Sequence, residues 1–233
     1  MMKTKTQILL EGRYDSFVKE IVQDIMYHIK ESEGEKDVVV DFTLPYDKNG
    51  EEYYSHESGI EFELDLRIKR TDGVIIHGNR EVPYHINTYI ADDDVLVMEI
   101  IIDETYGEKV YQKMFYKINE DIRHEIEHYL QNIFPDRQQP DIPNTADYET
   151  TFDHHIDPSE VEALVHGFYR RAKLEKKPLD VVMLEDIKKD IQDGNLTPDE
   201  GDTLLNTWIS YAIKKLPQAQ YSNSFRRKFI IQK

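Results

Sequence analysis

The sequence contains no cysteine. This absence excludes disulfide bonds, thiolate metal ligands and a cysteine nucleophile. A transition-metal site in this chain would therefore be built from histidine, aspartate and glutamate side chains.

Long hydrophobic runs are also absent. Residues 1–13 contain an apolar run of only three residues, Ile8-Leu9-Leu10, which is too short for a signal peptide. No stretch approaches the roughly 20 apolar residues that a transmembrane helix needs. We therefore expect a cytoplasmic protein that does not enter a membrane.

Positive charge is scarce, since 29 lysine and arginine residues face 46 aspartate and glutamate residues, for a net charge of −17. Such a balance argues against general binding to nucleic acid or to anionic membranes. The acidic residues are spread along the chain instead of being gathered in a tail, which favours a role in solubility. The composition leaves the oligomeric state open.

The chain has 233 residues, and from this length we expect one continuous core. The pattern of apolar residues predicts an α+β protein. Residues 1–108 are predicted to form an N-terminal helix and a sheet. Residues 109–177 are predicted to form the helices of the functional site, and residues 178–233 a helical C-terminal part.

Within the first part, helical spacing covers residues 14–33 and strands are expected between residues 37 and 103. Residues 60–69 alternate between apolar and charged, so we expect a half-buried strand there and favour it as an edge of the sheet. Thr71-Asp72-Gly73 predicts a hairpin turn. The almost unbroken apolar run of residues 95–102 favours a central strand.

One short motif carries most of the chemical information in the chain. Residues 124–128 read His-Glu-Ile-Glu-His, an H-E-x-x-H motif. On a helix, His124 and His128 are one turn apart and project from one face, so both imidazoles can bind one metal ion. Glu125 lies about 100° around the helix, where it can take a proton from water at the metal. The motif predicts a zinc site that needs one further protein ligand.

The motif lies in a strongly amphipathic segment. An apolar residue recurs every four positions, at Val110, Met114, Ile118, Ile122, Ile126 and Leu130. Ile126 lies about 200° from His124 around a helix, so this stripe can face the core while the histidine pair faces outward.

The chain offers several candidates for the third ligand. The H-x-x-G-x-x-H continuation of metzincins is absent, because Gln131 stands where the glycine would be. Downstream, Asp157 and the proline after it predict the start of a second helix, and Glu160 in its first turn is the preferred third ligand. Glu162 and the pair His154-His155 are alternatives, and Glu160 could instead only complement the helix dipole.

Residues 124–128, followed by Glu160-Val161-Glu162-Ala163, resemble zincin-like metallopeptidases of the gluzincin type, whose third zinc ligand is a glutamate. The resemblance implies His124, His128 and Glu160 as zinc ligands and Glu125 as the general base. It also implies a zincin-like fold, in which an antiparallel or mixed sheet precedes the motif helix. The chain departs from the family at Leu164, where many gluzincins have an acidic residue that supports the first histidine.

A group that stabilises an oxyanion is also expected near the metal. Tyr148, His154 and His155 lie in the predicted loop between the two ligand helices, and Tyr148 is the candidate for this catalytic role. With 15 tyrosines in the chain, a tyrosine in any given loop is unremarkable by itself.

A looser similarity covers more of the chain. Residues 10–15, the motif helix and residues 160–177 resemble proteins of tailed phages of marine bacteria. This similarity implies a viral origin, with a place in the host cytoplasm or in the virion.

The sequence thus favours a zinc-dependent hydrolase, in particular a peptidase that acts on a protein or peptide and uses Glu125 as its base. A second hypothesis is a zincin-like metal-binding module with weak or no catalysis, associated with a phage particle or a protein partner. A third is an acidic interaction protein without metal.

Overall fold

The computed structural model describes residues 5–45, 59–77, 80–91, 95–133, 148 and 150–225. In chain order its elements are α1 (Lys5–Glu31), β1 (Lys36–Pro45), β2 (Gly59–Thr71), β3 (Ile75–His77), β4 (Arg80–Val82), β5 (Tyr84–Ile90), β6 (Leu96–Asp103), α2 (Lys109–Ile133), α3 (Thr151–Ile156), α4 (Pro158–Glu175), α5 (Leu179–Asp193), α6 (Pro198–Lys215) and α7 (Asn223–Phe225). The predicted α+β class is confirmed. The predicted loop between residues 45 and 59 lies almost wholly outside the described residues.

The chain divides into two compact units. The first is Met1–His77 with Glu81–Glu125, and the second is Gly78–Arg80 with Ile126–Lys233. The division falls inside α2, so this one continuous helix contributes residues to both units.

The first unit is built on a mixed sheet of four strands in the order β1-β2-β6-β5. β1 and β2 are antiparallel, β2 and β6 are parallel with Leu64 opposite Leu96, and β5 and β6 are antiparallel. The expected central position of β6 is confirmed. The expected edge position of β2 is wrong, because β1 pairs with residues 59–68 on one side of it and β6 pairs on the other.

The predicted hairpin at residues 71–73 is also wrong. β3 follows this turn but pairs with β4 in a separate sheet of two strands, while β2 pairs with β6 instead. A local turn signal could not reveal a parallel partner that lies some 25 residues further along the chain.

α1 and the two central strands provide the core of the first unit. Between residues 15 and 31 of α1, the buried side chains are those with helical spacing, namely Phe17, Val18, Ile21, Val22, Ile25, Met26 and Ile29. Arg70, at the end of β2, donates hydrogen bonds to the carbonyl of Ile29 and to the hydroxyls of Ser32 and Tyr111. Its guanidinium therefore joins the end of α1 to β2 and to the start of α2.

α2 divides its faces as the periodicity predicts. The six apolar residues of its stripe, Val110, Met114, Ile118, Ile122, Ile126 and Leu130, are at most 5% exposed. His124 and His128 are partly exposed, whereas Glu125 and Glu127 are buried. The helix therefore carries histidine and glutamate side chains, which are able to bind a metal ion, beside its buried apolar stripe.

In the second unit, α4, α5 and α6 enclose a core that contains Phe168 and Trp208. α4 begins as predicted, since the side chain of Asp157 accepts a hydrogen bond from the backbone of Ser159. α5 ends at Asp193 and is capped by Gly194, whose φ of 80° is the left-handed conformation that glycine adopts easily. A capping box between Thr197 and Glu200 is present at the start of α6.

Throughout the described part of the chain, every helix is too short or too polar to cross a lipid bilayer.

Candidate metal centre

The two helices that the sequence predicts as ligand carriers bring three donor groups together. His124, His128 and Glu160 each offer one ligand atom, and these atoms all lie within 4.8 Å of one another. The two histidines are one turn apart on α2, and Glu160 lies in the first turn of α4. Two imidazoles and one carboxylate form the donor set of several catalytic zinc sites.

His128 and Glu160 are in direct contact within this cluster. His128 Nε2 lies 3.1 Å from Glu160 Oε1, and the carboxylate side chain is only 6% exposed. Two ligand atoms of one tetrahedral zinc, each about 2.0–2.1 Å from the metal, are roughly 3.3 Å apart. The separation therefore suits a shared metal ion as well as it suits a shared proton.

Gln131 fixes the orientation of His128 through a short chain of hydrogen bonds. The amide Nε2 of Gln131 donates to the carbonyl of Ser159 over 3.1 Å, and that carbonyl can only accept. The amide oxygen of Gln131 must then face His128 Nδ1, which is 3.1 Å away. Nδ1 therefore carries a proton, and Nε2 is the ring nitrogen that faces Glu160.

This arrangement is the one that metal-binding histidines require. A histidine ligand usually donates its second ring N–H to a carbonyl or carboxylate, which fixes the tautomer and the plane of the ring. Gln131 is 4% exposed, so solvent competes little for its hydrogen bonds. The residue that breaks the metzincin pattern thus acts as a positioning residue for His128.

A third histidine approaches the same carboxylate. His154 Nε2 lies 3.3 Å from Glu160 Oε1, and its side chain is 41% exposed. His154 and His155 belong to the short helix α3 and not to a loop as expected. The backbone carbonyl of His155 accepts a hydrogen bond from the indole of Trp208, which attaches α3 to the helical core.

Tyr148 lies next to this group. Its ring centroid is 4.9 Å from that of His154. Burial, together with the nearby carboxylates of Asp157 and Glu160, raises the pKa of Tyr148 to about 12. Tyr148 therefore keeps its proton at neutral pH and can act as a hydrogen-bond donor beside Glu160.

Glu125, the expected base, follows His124 directly on α2 and is 8% exposed. Helix geometry places Glu125 on the side of α2 about 100° from His124.

Glu162, the alternative third ligand, lies in different surroundings. Its Oε1 accepts a hydrogen bond of 2.6 Å from the hydroxyl of Tyr211, and its Oε2 accepts one of 3.4 Å from Gln131. Glu162 also forms a second group with Glu127 and His166, in which one ligand atom from each residue lies within 4.8 Å of the others. The structure therefore brings Glu160, and not Glu162, to the histidine pair.

Comparisons of the chain with protein-family models, with curated proteins and with solved structures find no match. The functional assignment therefore rests on the geometry of the site, the chemistry of its donors and the motifs in the sequence.

Sequence reasoning missed two features of this region. The spacing of His128 and Gln131, three residues apart on a helix, could have indicated their contact. Thr150, followed three residues later by Asp153, could have indicated the start of α3, where the Thr150 side chain accepts a hydrogen bond from the Asp153 backbone.

Proposed function

We propose that this protein is a zinc-dependent hydrolase, with His124, His128 and Glu160 as zinc ligands. The observation that carries this proposal is the convergence of these three donors within 4.8 Å. The Gln131 contact supports it, because that contact leaves His128 Nε2 as the nitrogen facing Glu160. The absence of cysteine and the presence of two imidazoles favour zinc over calcium or magnesium, which prefer oxygen ligands.

A zinc ion held there would acidify a water molecule and polarise a carbonyl group of the substrate. Glu125 then has the role of general base, since its carboxylate accepts the proton that the attacking water loses. The same carboxyl group returns this proton to the leaving group. Its burial excludes bulk water, which would otherwise exchange that proton.

Tyr148 and His154 have the role of stabilising negative charge on the substrate oxygen. Both lie near Glu160, and Tyr148 keeps its hydroxyl proton at neutral pH. A preorganised donor of this kind contributes roughly 10²-fold to 10³-fold in rate. His154 is a candidate added by the geometry, beside the Tyr148 predicted from sequence.

The substrate class we propose is a protein or peptide. It rests on the resemblance of residues 124–128 and 160–163 to gluzincins, which also supports a zincin-like form of the α+β fold. A cytoplasmic or virion location and a phage origin rest on the looser sequence similarity alone. The excess of negative charge supports a partner other than nucleic acid.

Substitution of the general base separates an enzyme from a module that only binds metal. Glu125→Gln removes the proton acceptor but no zinc ligand, so the variant should keep its zinc and lose roughly 10²-fold to 10⁴-fold in rate. The assay is cleavage of a degenerate peptide library by zinc-loaded protein, read by mass spectrometry. Glu108→Gln, at an exposed position before α2, is the matched control and should keep full activity.

Hydrolysis that persists unchanged in the Glu125→Gln protein would show that this motif is not the catalyst. Tight zinc binding without cleavage of any peptide would favour the second hypothesis, a metal-binding module. Protein that takes up no zinc after loading would contradict both.

A further inference from the structure

We propose that the same helix pair holds a second divalent metal ion, bound by Glu127, Glu162 and His166. One ligand atom from each of these residues lies within 4.8 Å of the other two. The set contains two carboxylates and one imidazole, which suits a first-row transition ion such as zinc or manganese. This site goes beyond the proposed function, because it shares no ligand with the cluster of His124, His128 and Glu160.

Helix geometry explains why one pair of helices can make two separate clusters. Glu162 and His166 are four residues apart on α4, so they project from one face. That face lies about 200° around the helix from Glu160. On α2, Glu127 lies about 60° from His124 on the side away from Glu125.

The electrostatics of the second cluster favour a cation. Glu127 is 2% exposed, and its carboxylate lies within reach of the Glu162 carboxylate. The Glu162 side chain is partly buried, and two carboxylates at such a distance repel each other. A divalent ion bound between the two carboxylates relieves this repulsion, and the lone pair of a neutral His166 completes the set of three ligands.

The ligand Glu162 is already oriented by its neighbours. The hydroxyl of Tyr211 donates to Oε1 over 2.6 Å, and the amide of Gln131 donates to Oε2 over 3.4 Å. Metal-binding carboxylates commonly accept such hydrogen bonds, which hold them in place and leave a second lone pair on each oxygen. Gln131 therefore contacts a ligand of each cluster, His128 in the first and Glu162 in the second.

The test is the zinc content of the full chain, stripped with a chelator, loaded with zinc, desalted and measured by elemental analysis. We expect two zinc ions per chain for the wild type. Glu127→Gln and His166→Gln should each retain one, His124→Ala should retain one, and the combination of His124→Ala with His166→Gln should retain none. Glu127→Gln has the shape of the native residue, His166→Gln keeps a polar side chain, and circular dichroism checks that each variant is folded.

The two sites can fail separately. One zinc ion in the wild type that is kept by His166→Gln but lost by His124→Ala would overturn the second site and leave the proposed function standing. One ion that is lost by His166→Gln but kept by His124→Ala would overturn the proposed function and leave the second site standing. Protein without zinc would overturn both proposals.

A positioning variant gives an independent readout. Tyr211→Phe removes one hydrogen bond to Glu162, so it should weaken the affinity of the second site for zinc by roughly 10-fold to 100-fold. The first site should be unaffected, as measured by competition with a chromophoric chelator. Tyr27→Phe, at a side chain that is 59% exposed, is the control. Equal zinc affinities for Tyr211→Phe and wild type would contradict the assignment.

Discussion

Gln131 offers the sharpest test of how the candidate centre is built, because a single amide contacts His128, Ser159 and Glu162. Gln131→Met keeps the length of the side chain and removes both its donor and its acceptor. His128 then loses the partner that keeps the proton on Nδ1. Loss of such a supporting contact weakens metal affinity by roughly 10-fold to 100-fold, which corresponds to about 1.4–2.8 kcal/mol.

The same change carries a cost in stability. The side chain of Gln131 is 4% exposed, and its amide is a donor to the carbonyl of Ser159. The Ser159 carbonyl keeps its backbone hydrogen bond within α4, so the loss of this second hydrogen bond costs about 0.5–1.5 kcal/mol. We expect urea denaturation of the metal-free variant to show a loss of this size relative to the metal-free wild type.

Two assays distinguish positioning from a general loss of structure. Chelator competition measures zinc affinity, and nitrogen-15 NMR of the histidine rings in the zinc-loaded protein reports which nitrogen of His128 carries a proton. The wild type should have the proton on Nδ1 and the metal on Nε2. A proton on Nε2 in the zinc-loaded wild type, or an unchanged zinc affinity in Gln131→Met, would refute the proposed role of Gln131.

Two further predictions concern stability. Arg70→Met should lower the free energy of unfolding by about 1–3 kcal/mol, because the guanidinium donates to the carbonyl of Ile29 at the end of α1. Thr197→Ala should cost about 1 kcal/mol at neutral pH through loss of the N-cap. The hydrogen bonds from Thr197 lower the pKa of Glu200. The part of the effect that comes from the hydroxyl bond to the Glu200 carboxylate is therefore present above the usual glutamate pKa and is lost as the pH falls through the lowered value.

Each of these variants has a matched control, and urea denaturation measures all of them. Lys69→Met, at a side chain that is 58% exposed, should change stability by no more than about 0.5 kcal/mol. Thr203→Ala lies at an exposed position within α6. Its effect on the free energy of unfolding should be the same at neutral and at low pH. A loss for Arg70→Met no larger than its control, or a Thr197→Ala effect that persists unchanged at low pH, would contradict these explanations.

The parts of the fold that follow from local patterns could be predicted from the sequence. The helical repeat from Val110 to Leu130 fixes which face of α2 is buried. Asp157 and Pro158 mark the start of α4, and Thr197 marks the start of α6, because capping depends on residues that are adjacent in sequence.

The pairing of strands could not be predicted in the same way. Alternation along residues 60–69 indicates one buried face, and it is found in edge strands and in inner strands alike. The positions of β1 and β6 on either side of β2 depend on contacts between distant parts of the chain. The apolar run in β6 was informative because a central strand buried on both faces needs apolar residues at successive positions.

The candidate site shows the same division. The spacing of His124 and His128 follows from one helical turn, but the choice between Glu160 and Glu162 depends on how α4 lies against α2. The roles of Gln131, His154 and His166 depend on the same packing, which no local spacing encodes. Sequence alone therefore identified the motif and left its supporting residues to the structure.

The most direct test of the central claim is a crystal structure of the zinc-loaded protein, with anomalous diffraction recorded on both sides of the zinc absorption edge. We expect an anomalous peak about 2.0–2.2 Å from the ring nitrogens of His124 and His128 and from a carboxylate oxygen of Glu160. No peak at this position, or a zinc ion there with Glu160 turned away, would contradict the account.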